Sequence, residues 1–138
     1  VEIIACDPGR KSGVTIGSPG NFVGMEIDYP EIYFKLEELV MTGKYSVLVC
    51  ENFFITGQTA KKSVGLAWSL RIIGVCDYLC TRQGIEFVLQ SPSEAKNFVD
   101  NKKLKEYGCW FPGEGHAKDS ARHAILYYFK NYPKEILK

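Results

Sequence analysis

Apolar and polar positions change period several times along the 138 residues. The opening VEIIACD is a continuous apolar run halted by Pro8 and Gly9, the pattern of a short buried strand. GVTIGS and NFVGMEI, separated by Pro19-Gly20, predict two more strands linked as a hairpin. From Pro30 the period lengthens, and Ile32, Leu36, Leu39 and Val40 fall on one face of a helix. After Gly43, YSVLVCE predicts a valine-rich buried strand. The next segment, SVGLAWSLRIIGVCDYLCTRQG, carries two apolar stripes at helical spacing. Leu66, Leu70, Ile73 and Asp77 share one, and Trp68, Ile72, Val75 and Leu79 share the other. A helix so apolar needs cover on two sides, from its own sheet and from a partner subunit, and Gly65, Ala67 and Gly74 would admit a close neighbour.

IEFVLQ predicts a further strand, and SPSEAKNFV a helix with a serine cap and an early proline. A loop through Trp110, Phe111, Pro112 and Gly113 leads to a last helix, with Ala117, Ala121, Ala124, Ile125 and Tyr128 as its apolar stripe. The order βββαβαβαα predicts an α/β fold, a mixed sheet with helices on its faces. Nothing reads as a linker or an internal repeat, so residues 1–138 are expected to form a single domain.

Composition narrows the partners more than the fold. No apolar stretch reaches the roughly 18 residues of a membrane span, and the first residues lack the basic start and cleavage site of a secretory leader. A soluble, cytoplasmic protein is expected. The five cysteines include no CxxC pair, which argues against a disulfide framework or a zinc knuckle. Cys76 and Cys80 share a helical face, but no second Cys/His pair completes a metal site, so buried free thiols are expected. With 17 basic and 16 acidic residues, the net charge of +1 does not announce a nucleic-acid binder. The basic residues nevertheless cluster, as Arg10-Lys11, Lys61-Lys62 and Lys102-Lys103 with Lys105. Such clusters can grip phosphates when the total charge is near zero; each also reads as a set of solvated loop side chains.

Three carboxylates stand where a ligand site is expected. Asp7 closes the first strand and Glu51 closes the valine-rich one. In open α/β sheets, ligands collect beyond the C-terminal ends of the strands. If these two strands are parallel neighbours, about 4.8 Å apart, the carboxylates lie side by side. That is costly unless one is protonated or a cation bridges them, and oxygen donors of this kind suit Mg²⁺ or Mn²⁺. On the last helix, His116, Asp119 and His123 fall in a narrow sector beside the apolar stripe, where Asp119 can lean over the sheet edge. Ordinary readings stand next to these. Asp-Pro-Gly makes a good turn, an acid in a first helical turn complements the helix dipole, and His123 and Arg122 read as helix-face residues before ligands.

These segments, in order, resemble the motifs of RuvC-like Holliday-junction resolvases, members of the RNase H-like nuclease superfamily. IIACDPGRKSGV resembles their first strand and turn, VLVCENFF their second acidic motif, and HAKDSARHAILYYF the closing motif that opens the final helix. The resemblance spans nearly the whole chain and implies an RNase H-like fold with the activity of a crossover-junction endodeoxyribonuclease. It implies that Asp7, Glu51 and Asp119 hold two divalent ions, Mg²⁺ with Mn²⁺ able to substitute. His116 would be the fourth group of the site, where many members carry Asp. An imidazole there could ligate a metal, position water or, as imidazolium, favour a phosphate oxygen. Phe54 matches the family aromatic that helps to open the branch point by stacking on bases, with a packed core residue as the ordinary alternative. Arg10, Lys11, Lys61, Lys62, Lys102, Lys103 and Lys105 are candidates to follow the phosphate backbone.

The family acts as homodimers, two sites cutting opposite strands of a four-way junction. The resemblance suits a bacterial protein or one from a bacterial virus. Three rival readings remain: a related nuclease acting on RNA or flap DNA, an RNase H-like nucleic-acid-binding module without catalysis, and a phosphate-binding ATPase fold with a DxG loop. The last needs two lobes, for which 138 residues are too few.

Overall fold

The computed structural model describes residues 1–53, 57 and 63–137, with the backbone alone for 63–66. Five strands, β1 (Ile3–Asp7), β2 (Lys11–Gly17), β3 (Val23–Asp28), β4 (Val47–Glu51) and β5 (Glu86–Gln90), form one sheet in the order β3-β2-β1-β4-β5. The first three strands pair as an antiparallel meander, whereas β1–β4 and β4–β5 are parallel. The helices are α1 (Glu31–Met41), α2 (Ser63–Gln83), α3 (Pro92–Phe98), α4 (Asn101–Glu106), α5 (His116–Asn131) and α6 (Pro133–Ile136). The mixed sheet flanked by helices is the architecture that the element order predicts.

The end of the chain is more divided than its periodicity suggests. Where two helices are expected after β5, the structure has four. Ser91 caps α3 by accepting from the Glu94 N–H, and Val99 is extended. Asp100 then starts a new helix by accepting from the Lys103 N–H. Pro133, at the first position of α6, restarts a short turn after α5.

Alternation along the strands sorts two cores. Ile4, Cys6, Leu48 and Cys50 face α1 and α2, while Ile3, Ala5, Val47 and Val49 face α5. The buried residues of α1 are Ile32, Leu36, Leu39 and Val40, the stripe expected from the sequence. On α2, Ile72, Cys76, Leu79 and Cys80 are buried, whereas Leu70, Gly74, Asp77 and Tyr78 are exposed. All five cysteines are buried and free.

Helix α5 lies across β1, β2, β3 and β4, and α3, α4 and α6 pack against it as well. Its predicted stripe is buried, and so are Ser120, His123, Leu126 and Tyr127. His123 is therefore not the helix-face residue that its spacing suggests. Its hydrogen-bonding partners stand on the β4 and β5 tips, while Lys118, Asp119 and Arg122 stay half-buried beside the short helices. Phe129 marks this second contact, meeting Phe98 and Tyr107 edge-on at ring-centroid distances of 5.1 and 6.0 Å.

Candidate active site

The parallel pairing of β1 and β4 sets Cys6 opposite Cys50, so Asp7 and Glu51 follow at adjacent C-terminal tips. Both occupy the next position on the α5 side of the sheet, and their carboxyl groups share a hydrogen bond. The start of α5 is drawn to this point from two strands. A Cβ on Gly13 of β2 would stand 1.8 Å from the His116 carbonyl oxygen, so strand and helix meet backbone to backbone only because residue 13 is glycine. From β3, the Glu26 carboxylate accepts the N–H groups of Glu114 (2.9 Å), His116 (2.8 Å) and Ala117 (3.2 Å). Burial works to raise the Glu26 pKa, but these three bonds outweigh it and hold the carboxyl below its ordinary range. An acid from another strand thus caps α5 where Gly115, at φ 101°, has no side chain to do so.

Anchored in this way, α5 presents His116 and Asp119 to the strand tips. His116 Nδ1 lies 3.7 Å from Asp7 Oδ2. Asp7, Glu51, His116 and Asp119 line one open cavity of about 910 Å³, together with Arg10, Lys11 and the further acids Asp28, Glu31 and Glu114. Burial, the hydrogen bond with Glu51, and repulsion from Glu51 and Asp119 together push the Asp7 carboxyl up to about 10. Burial also works to raise Glu51, but hydrogen bonds from His123 and Asp7 outweigh it, with a smaller pull from Lys96, and Glu51 stays below the usual range. Without a cation, the pair retains a proton on Asp7. Three carboxylates that line one cavity are oxygen donors of the kind a hard divalent ion takes, although their ligand atoms do not all lie within 4.8 Å of one another.

Four residues that the sequence reading did not assign support this centre. His123 contacts Glu51, and Gln90 contacts His123 in turn: His123 Nε2 lies 3.0 Å from Glu51 Oε1, and Nδ1 lies 2.9 Å from Gln90 Oε1. Arg122 donates from Nε to Asp119 (3.3 Å) and from its terminal nitrogens to the Val99 carbonyl and the Asn101 side chain. It fixes Asp119 between α5 and the start of α4. Lys96 of α3 joins Lys102, Asn101, Arg122 and Asp119 around a second cavity of about 530 Å³, so Asp119 borders both. A signal for Gln90 was present: the three parallel strands close as ACD, VCE and VLQ, each on a polar side chain.

The basic candidates are dispersed. Arg10 and Lys11 sit beside the carboxylates, although Lys11 also pairs with Glu114 and, at 3.9 Å, Asp28. Lys102 lines the second cavity. The Lys103 ammonium lies 5.1 Å from the Phe98 ring centroid, and those of Lys105 and Lys118 lie 4.6 and 4.4 Å from the half-exposed Trp110. Phe53 lines the main cavity. Phe54, Lys61 and Lys62 lie outside the described residues.

Two solved structures share this architecture across nearly their whole length. T. thermophilus RuvC in complex with a Holliday junction substrate superposes with a TM-score of 0.69 over 94% of this chain and 95% of that one, at 15% identity. The Thermus thermophilus RuvC structure gives 0.66 over 94% and 96%, again at 15% identity. The chain has a RuvC-like fold. No protein-family model and no curated protein matches the sequence. RuvC is an RNase H-like fold, so the fold implied by the three sequence motifs is the one observed.

Proposed function

We propose that this protein is a divalent-metal-dependent endodeoxyribonuclease that resolves four-way DNA junctions as a homodimer. The observation that carries the reading is that Asp7, Glu51, His116 and Asp119 line one cavity at the strand tips of a RuvC-like fold. Asp7, Glu51 and Asp119 would hold two ions, with His116 alongside. The chemistry such ions supply when bound is an acidified water and neutralisation of charge on the leaving oxygen. Asp7 would give up its retained proton on ion binding. Glu51 and Asp119 are held ready, the first by His123 and the second by Arg122. His116, the first residue of α5, would meet water or a phosphate oxygen.

Arg10, Lys96 and Lys102 flank the carboxylates on either side of Asp119 and suit the phosphate backbone of a bent junction arm. The RuvC complex with a Holliday junction substrate supports branched DNA as the partner. The exposed stripe Leu70, Gly74 and Tyr78 on α2 supports the homodimer, because an apolar face with a glycine allows a second copy to approach.

The test is cleavage of a synthetic four-way junction with Mg²⁺ or Mn²⁺, compared with linear duplex, a flap and an RNA–DNA hybrid. Paired nicks across the junction are expected, with Asp7→Asn binding the junction but leaving it uncut. Preference for the flap or the hybrid would transfer the activity to another nuclease class. Undiminished cutting by Asp7→Asn would overturn the carboxylate site.

A further inference from the structure

His123 occupies the interior of α5, 1% exposed, among residues whose other side chains are largely apolar. An apolar residue would fill that space without the cost of removing an imidazole from water. A buried imidazole is tolerated when both ring nitrogens are paired, and here the partners are specific. Glu51 and Gln90 are register partners at the tips of β4 and β5, and the Asn52 N–H closes the same corner by donating to the Gln90 carbonyl at 2.7 Å. The ring of His123 bridges the two side chains, at 3.0 and 2.9 Å. An ionised Glu51 can only accept, so Nε2 carries the hydrogen and donates to Oε1. Nδ1 is matched by the Gln90 amide, either end of which can face the ring.

We infer that His123, itself oriented by Gln90, is a positioning residue that holds the Glu51 carboxylate in the plane needed to bind a divalent cation. The inference rests on the reading of Asp7, Glu51 and Asp119 as a cation site. A glutamate on a strand tip turns about three side-chain torsions, and the His123 bond restrains them. That bond occupies one oxygen and leaves the second uncommitted to the imidazole. Partners that orient a ligating carboxylate typically contribute roughly 10–100-fold to metal affinity.

The experiment measures Mn²⁺ binding to the intact protein without DNA, by electron paramagnetic resonance of the free ion. Wild type, His123→Phe, His123→Gln and Gln90→Leu are compared, with melting temperatures and with junction cleavage as a function of Mn²⁺. His123→Phe should bind Mn²⁺ roughly 10-fold or more weakly. His123→Gln, which keeps an N–H able to reach Glu51, should recover part of that loss, and Gln90→Leu should show a smaller one. Cleavage should shift to higher Mn²⁺ in the same order. A folded His123→Phe with wild-type Mn²⁺ affinity overturns the inference and leaves the histidine as packing, visible in melting temperature alone. Should His123→Phe fail to fold, wild-type Mn²⁺ affinity in Gln90→Leu overturns it instead. A wild type that binds Mn²⁺ yet cuts no junction overturns the proposed function, and the variant affinities still decide the role of His123. A wild type that binds no Mn²⁺ overturns both.

Discussion

Replacing Asp7 with asparagine should stabilise the metal-free protein while removing its response to divalent ions. Asp7 is 8% exposed, hydrogen-bonded to Glu51 and repelled by Asp119 as well. Two carboxylates about 4 Å apart repel by roughly 4 kcal/mol at an effective dielectric constant of about 20. A retained proton relieves that repulsion, but each unit by which it displaces the pKa costs about 1.4 kcal/mol once the solution is above the ordinary carboxylate range. Asparagine keeps the size and the hydrogen bonding without the charge, and a penalty of roughly 2–4 kcal/mol is lifted. For a chain of this length that amounts to a rise in Tm of roughly 5–15 °C in EDTA. The pH dependence has a definite sign. Folding raises the Asp7 pKa from 3.8 to about 10, through burial first and then the neighbouring acids. Its contribution is fully present below the unfolded value and is lost as pH rises toward the folded one. The asparagine variant has no such titration, so its advantage should widen between pH 5 and pH 9. Thermal melts across that range, in EDTA and with added Mg²⁺, make the test. A variant less stable than wild type in EDTA at pH 8, a gap that does not change with pH, or an equal gain from Mg²⁺ in both proteins would refute the reasoning.

Glu26→Ala removes the acid that caps α5, and urea unfolding at neutral pH should show a loss of about 1 kcal/mol, the usual worth of such a cap. Because Glu26 is held below its ordinary range, wild type should lose this contribution as pH falls through that range, and the variant should show a flatter acid limb. Tyr78→Glu places a charge on the exposed stripe of α2 and should shift sedimentation of the protein from dimer to monomer; a wild type that is monomeric at micromolar concentration, with and without junction DNA, would remove the proposed interface.

How much of this was legible in the sequence depends on the range of each interaction. Continuous apolar runs ending in Asp7 and Glu51 located two strand tips. The carboxylates became neighbours once β1 and β4 were parallel and adjacent, a pairing that the α/β element order makes natural. The contact of α5 with β2 was not legible, because Gly13 in KSGVTIG looks like any weak strand position until the His116 carbonyl is found against it. Glu26 was hidden for a similar reason: it lies 88 to 91 residues from the N–H groups that it accepts. His123 shows most clearly what periodicity omits. A helical wheel divides α5 into a buried face and a free one on the assumption that the sheet is its only neighbour. Here α3, α4 and α6 pack against it as well. On such a helix, a buried polar residue is no longer explained by solvent and needs a specific partner. His123 has two, on adjacent strand tips, and one of them is Glu51. The burial that made this residue unreadable from spacing is therefore also the reason to assign it to the site.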